Sequence, residues 1–176
     1  ALAMNGSATV VRSGCMAKDA DMILSEFILL GIGGKELSEE NAAQTVKALN
    51  IIQPDFIRVH ATGIKLESKL GEFVRDGSFT LQSEEEIIEQ KLFLQQLHEM
   101  DSYYVNEHIV NLLLEIRGNL RTEKQEMLST IDRFLTLPPD ERLLFAVGRR
   151  LNIFFRLDDL KKPKLHQKAG ESLQQI

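Results

Sequence analysis

The feature that most limits what this chain can fold into is a short apolar run that stops on glycine. Phe27 to Leu30 is unbroken and apolar, and Gly31-Ile32-Gly33-Gly34 follows at once. A run of that length ended by glycines predicts a strand buried on both faces. The glycines permit positive φ and leave backbone N–H groups uncovered, so the same stretch reads either as a plain turn or as a close approach to a small ligand. Ser38 offers an N-cap, which predicts a helix from about Glu39. Ala42, Ala43, Val46, Ala48, Leu49 and Ile52 then recur at helical spacing, and Pro54 ends the element. From Asp55 to Ala61 the chain alternates, with Phe56, Arg58 and His60 set against Ile57, Val59 and Ala61. That is a second strand. Strand, helix and strand in this order predict a right-handed parallel unit, and two strands alone leave their edges open.

The rest of the chain reads as helices. Residues 1–16 are weakly patterned and are expected to be a flexible N-terminal segment, a frayed end or the remnant of a preceding helix. Cys15 is expected to be a bystander. Ser68 to Asp76 predicts a short helix closed by Gly77. Ser83 with Glu86 forms a capping box ahead of Ile87, Ile88, Leu92, Leu94 and Leu97, on a helix whose acidic face points outward. Tyr103 to Arg117 fits a helix better than a strand, on Val105, Ile109, Leu112, Leu113 and Ile116, with the type of element left open. Thr122 with Gln125 opens a helix striped by Met127, Leu128, Ile131, Phe134 and Leu135. Pro139 suits the first turn of the next, striped by Leu143, Leu144, Val147, Leu151, Phe154 and Phe155. Residues 161–176 turn basic and polar and are expected to trail into a flexible tail. The parallel unit thus spans 17–80 and a helical extension 81–160.

Composition removes several classes of function. At 43% hydrophobic residues the 176-residue chain can bury a real core, and at 6% aromatics that core is mainly aliphatic. A net charge of −5 gives no bulk attraction to nucleic acid or to an anionic membrane. No apolar stretch reaches the ~20 residues of a membrane helix, and no signal-peptide pattern opens the chain, so a cytoplasmic protein is expected. One cysteine excludes internal disulfides and any multi-thiolate site built from this chain alone.

Motifs with chemistry are sparse. The glycine turn completes neither a phosphate loop nor a dinucleotide fingerprint. Arg58 and His60 share one face of the second strand, which would point inward in a barrel. Arg58 reads either as a ligand contact or as the partner of Glu26, which is placed on the matching face of the first strand and itself needs a partner or a purpose. His108 with Asn106 and Asn111 reads either as bonding loop backbone or as lining a substrate opening. No histidine pair has zinc-protease spacing, and no nucleophile motif appears, so neither catalytic nor metal-ligating residues are assigned.

Taken together, FILLGIGGKELSEENAAQTVKALNIIQPDFIRV resembles the last two strands, and the helix between them, of a radical S-adenosylmethionine barrel. GEFVRDGSFTLQSEEEIIEQ resembles the segment beyond the barrel in anaerobic bacterial members of that family. NEHIVNLL and GNLRTEKQEML are similar to their C-terminal asparagine–histidine and glycine–leucine–lysine segments. The resemblance covers roughly residues 22–134. It implies an α/β fold, a partial βα barrel with a mostly helical C-terminal extension. It implies that Gly31, Gly33, Gly34 and Glu36, with the backbone of Val59 and His60, lie beside the nucleoside of S-adenosylmethionine. Glu26, Arg58, Asn106, His108 and Asn111 become substrate-side candidates facing a small organic substrate. The family's CxxxCxxC loop, which holds a 4Fe–4S cluster, is missing here. The resemblance therefore implies the C-terminal part of an oxidoreductase, inactive alone, binding neither cofactor nor cluster by itself. A non-catalytic α/β interaction domain, completed as a homodimer through exposed sheet edges, is the alternative.

Overall fold

The computed structural model describes residues 2–81 and 85–174, so the Ser83–Glu86 capping box lies outside the described residues. Helix α1 (Leu2–Asp19) leads into strand β1 (Ser25–Leu30), helix α2 (Ser38–Ile52) and strand β2 (Phe56–Ala61). Helices α3 (Lys69–Arg75) and α4 (Glu85–Gln96) follow, then strands β3 (Tyr103–Val105) and β4 (Gly118–Asn119). Helices α5 (Lys124–Leu135), α6 (Pro139–Arg150) and α7 (Pro163–Leu173) complete the chain, with a 3-10 turn at Leu157–Lys161 before the last.

The four strands form one open sheet in the order β1-β2-β3-β4. β1 and β2 are parallel, with Ser25 beside Phe56 and Leu30 beside Ala61, joined through α2 as the sequence predicts. β3 extends the sheet in parallel, from Phe56 beside Tyr103 to Arg58 beside Val105. β4 returns antiparallel. The expected α/β class holds.

One face of this sheet carries the core. Ile28, Leu30, Ile57 and Val59 are buried beside Ala42, Val46 and Leu49 of α2 and Ile87 and Leu94 of α4. The other face is partly open. Phe27 is 61% and Leu29 46% exposed, so β1 is not buried on both sides as its apolar run predicts. Apolar character along a strand reports only that its residues tolerate a dry neighbour, not that one is present. The same register corrects Glu26. It pairs with Ile57 and lies on the face opposite Arg58, so the two do not meet. Half-buried there, Glu26 has its pKa raised by desolvation. Arg58 bonds Ser25 Oγ at 3.2 Å and lies 3.9 Å from Glu107 in a largely exposed pair.

Three further expectations change. Residues 2–16 belong to α1 rather than a flexible segment, because Val11, Gly14, Cys15 and Lys18 recur at helical spacing on its covered side. A Cβ at Gly14 would sit 2.8 Å from Ile52, which marks how closely α1 lies on α2. Lys18 reaches Asp55 at 2.7 Å, and Asp55 also accepts Leu24 N–H; that amide bond and Lys18 hold the Asp55 carboxyl below its usual range. Residues 161–176 contain α7, whose Ala169 is fully buried and whose His166 contacts Glu141 at 3.2 Å. Proline at its first turn starts this helix instead of breaking it. Tyr103–Arg117 is strand and loop, not helix: Tyr104, Val105, Leu112, Leu113 and Ile116 are buried without helical continuity, and Ile109 is 70% exposed.

The helical half packs through aromatics. Phe134, Phe145 and Phe154 form a row, each neighbouring pair 5.9 Å apart between ring centroids. The buried stripe of α6 is Leu144, Phe145, Gly148 and Arg149, one residue off the predicted stripe, and Leu143 and Leu151 face outward. The shift follows Gly148, where a Cβ would come within 2.2 Å of the Phe154 ring.

Candidate functional site at the carboxyl ends of the parallel strands

The glycine turn leaves β1 with Gly31 at φ 77° and Gly34 at φ 64°, conformations that side chains rarely adopt. Part of its backbone is bonded within the protein. Gly34 N–H closes the turn on Gly31 O at 3.1 Å, and Lys35 N–H donates to Thr80 O at 3.2 Å. A Cβ on Gly33 would meet Leu37 O at 2.9 Å, and one on Gly34 would meet the Phe79 ring at 3.0 Å. The close approach that the glycines allow is therefore to neighbouring chain. Glu36 is exposed and accepts from Thr80 Oγ1 at 3.0 Å.

Beneath the turn lies a carboxylate that sequence reading placed on the solvent side. Glu89 of α4 is fully buried. It accepts Gly31 N–H at 3.3 Å, Ser38 Oγ–H at 2.9 Å and Asn41 Nδ2–H at 2.6 Å. Desolvation raises its pKa, and the three donors oppose that shift. Ser38 is accordingly not an N-cap. Leu37 occupies that position, and the Ser38 hydroxyl turns inward to Glu89. The missed signal is weak: a Glu one residue before Gln90 and four before Phe93, both buried, on a helix that otherwise looks acidic outside.

At the end of β2, Asn111 takes over where β3 stops. Its side chain accepts Ala61 N–H at 2.7 Å and donates to Val59 O at 2.7 Å, as a paired strand would. Asn111 also donates to Asn106 Oδ1 at 2.6 Å, and Asn106 donates to Leu113 O at 2.5 Å. Both asparagines are buried, so of the two readings open for them the structure uses backbone bonding.

His60 and His108 remain on the open face. Their rings stack at 4.2 Å between centroids and 19° between planes, and Phe27 meets His60 edge-on at 5.2 Å. His108 Nδ1 is buried and bonds nothing among the described residues. Partial burial, then the nearby His108 and Arg58 charges, lower the His60 pKa. Phe27, Arg58 and His60 thus make one aromatic and basic strip across adjacent strands.

The sequence-assigned residues fall together in two neighbouring places. Gly31, Gly33, Gly34 and Glu36 follow β1, while Val59 and His60 end β2 next to it, with Leu29 beside His60. In open α/β sheets the carboxyl ends of parallel strands are where ligands sit. Val59 O and Gly31 N–H are already bonded within the protein, to Asn111 and Glu89. A 4Fe–4S cluster does not fit: Cys15 lies on α1 as the single thiol, and the described residues hold no group of three metal-ligating side chains. No described helix is long and apolar enough to cross a membrane. Compared with protein-family models, curated proteins and solved structures, the chain matches none.

Proposed function

We propose that this chain is the C-terminal part of a radical S-adenosylmethionine enzyme, forming a section of barrel wall and its helical cover, and inactive alone. The observation that supports this most is the sheet: parallel strands backed by α2 and α4, with a partly open opposite face. Arg58 and His60 alternate onto that open face as lumen-facing residues of a barrel would. In the intact enzyme the cofactor supplies a carbon radical that abstracts hydrogen from an organic substrate. This chain's residues would hold that substrate. Arg58 would pair with an anionic group, the His60–His108 stack would give a flat surface and one ring nitrogen, and Glu89 would fix the turn above them.

The test has two readouts. Anaerobic treatment of the chain with iron, sulfide and S-adenosylmethionine is expected to give no cluster absorbance and little cofactor binding. Tight binding by the chain alone would contradict the reading. The reading also expects a three-cysteine loop encoded upstream of Ala1, and an upstream frame without one would remove it.

A second reading rests on the exposed Phe27 and Leu29 beside a β1 edge that pairs with no described strand. Such a surface suits a homodimer. Light scattering separates the two, since a stable monomer at all concentrations counts against self-association.

A further inference from the structure

Beyond the end of β2 lies a cavity of about 440 Å³ that none of the readings above uses. Ile64, Leu81, Ile109 and Val110 give it apolar walls, and Thr62 follows β2 at its floor. Among the described residues its charged lining is Arg149 and Arg150, with no acidic residue beside them. Arg149 is 3% exposed. It donates to the carbonyls of Leu112, Phe154, Ile109 and Asn111 at 3.1–3.2 Å. Those bonds satisfy most of its N–H groups but leave its charge in place, because a carbonyl is a dipole and not a counter-ion. Arg150 adds a second guanidinium, which among the described residues bonds Ala146 O of its own helix at 3.3 Å. Among the described residues neither arginine has an ion pair. Burial, and then repulsion from Arg150, draw the Arg149 pKa below its ordinary value. The carboxyl end of the α6 dipole offsets part of this charge without neutralising it.

The geometry points to an anion-binding cavity in which Arg149 and Arg150 take the carboxylate or phosphate of a small ligand whose apolar body rests on Ile64, Leu81 and Ile109. Arg149, with four of its five N–H groups held by carbonyls, supplies buried charge without an acid, and the planar fork of Arg150 supplies the donors that match either oxyanion. The apolar walls set the rest of the ligand, so a bare inorganic ion would use only part of the site. This site does not depend on the barrel reading, and either can fail without the other.

Calorimetric titration with phenylacetate and phenyl phosphate tests it, with phenethylamine as the cationic control. At least one anion is expected to bind, the tighter one naming the ligand group, and the amine is expected not to. Arg150→Gln, at an exposed position, is expected to weaken binding about tenfold or more. Ile109→Asp sets a carboxylate at the cavity mouth and is expected to abolish binding, with the thermal melt unchanged. Absence of binding by both anions, equal binding of phenethylamine, or binding untouched by both substitutions would overturn the site.

Discussion

Glu89 carries a carboxylate into the interior, where donors from the turn and from α2 converge on it. Removing it strands the buried Gly31 N–H and the half-buried Ser38 and Asn41 donors at once. Glu89→Ala is predicted to cost about 2–4 kcal/mol in denaturant unfolding, and Glu89→Gln clearly less, since an amide oxygen still accepts. Equal losses would mean that burial, not hydrogen bonding, sets the cost. The sign with pH follows from desolvation. A carboxyl whose folded pKa is raised adds stability below its unfolded value and gives it up as pH rises through the folded value. His60 runs differently. Its folded pKa is lowered, so the unfolded chain binds more protons as pH falls below about 6.5, and stability drops toward the lowered value. His60→Phe is predicted to flatten the melting temperature between about pH 7 and about pH 5. An unchanged slope would show that the stacked pair does not titrate against folding. Glu89 was not legible in this role, because period alone cannot say which polar side chain a helix turns inward; the strand alternation gave the face of His60 but not its stack on His108.

At the scale of elements, the parallel β1-α2-β2 unit was readable because its signals agree: an apolar run, a helical stripe and a clean alternation. The segment from Tyr103 to Arg117 was not. Its apolar residues recur at helical spacing, yet β3 pairs with β2 for three residues and the chain then breaks into turns. Asn111 explains how the sheet tolerates so short a strand, by bonding Val59 O and Ala61 N–H from a side chain. Asn111→Leu removes this mimic and is predicted to destabilise by about 2–4 kcal/mol, with earlier hydrogen exchange at Ala61. Exchange at Ala61 unchanged would assign that protection elsewhere. The stripe of α6 slipped by one because Gly148 is a packing residue. Gly148→Ala would drive a methyl into Phe154 and is predicted to cost about 1–3 kcal/mol. The two chain ends were misread for a common reason: their helices are held by a few long-range contacts, Gly14 to Ile52 and Ala169 in the core, which local composition does not display.

For the molecule as a whole, the class was visible and the solvent side of the sheet was not. Phe27 and Leu29 look like interior residues, and only the register shows that they share a face with Phe56, Arg58 and His60 that no described helix covers. Both functional readings rest on that partly open face, as barrel lumen or as dimer surface. Cysteine scanning tests it most directly. In a Cys15→Ser background, cysteines at Phe27, Ile28, Leu29 and Leu30 are labelled one at a time with a soluble thiol reagent. The account predicts prompt reaction at 27 and 29 and strong protection at 28 and 30. Protection at all four in the monomer would contradict it.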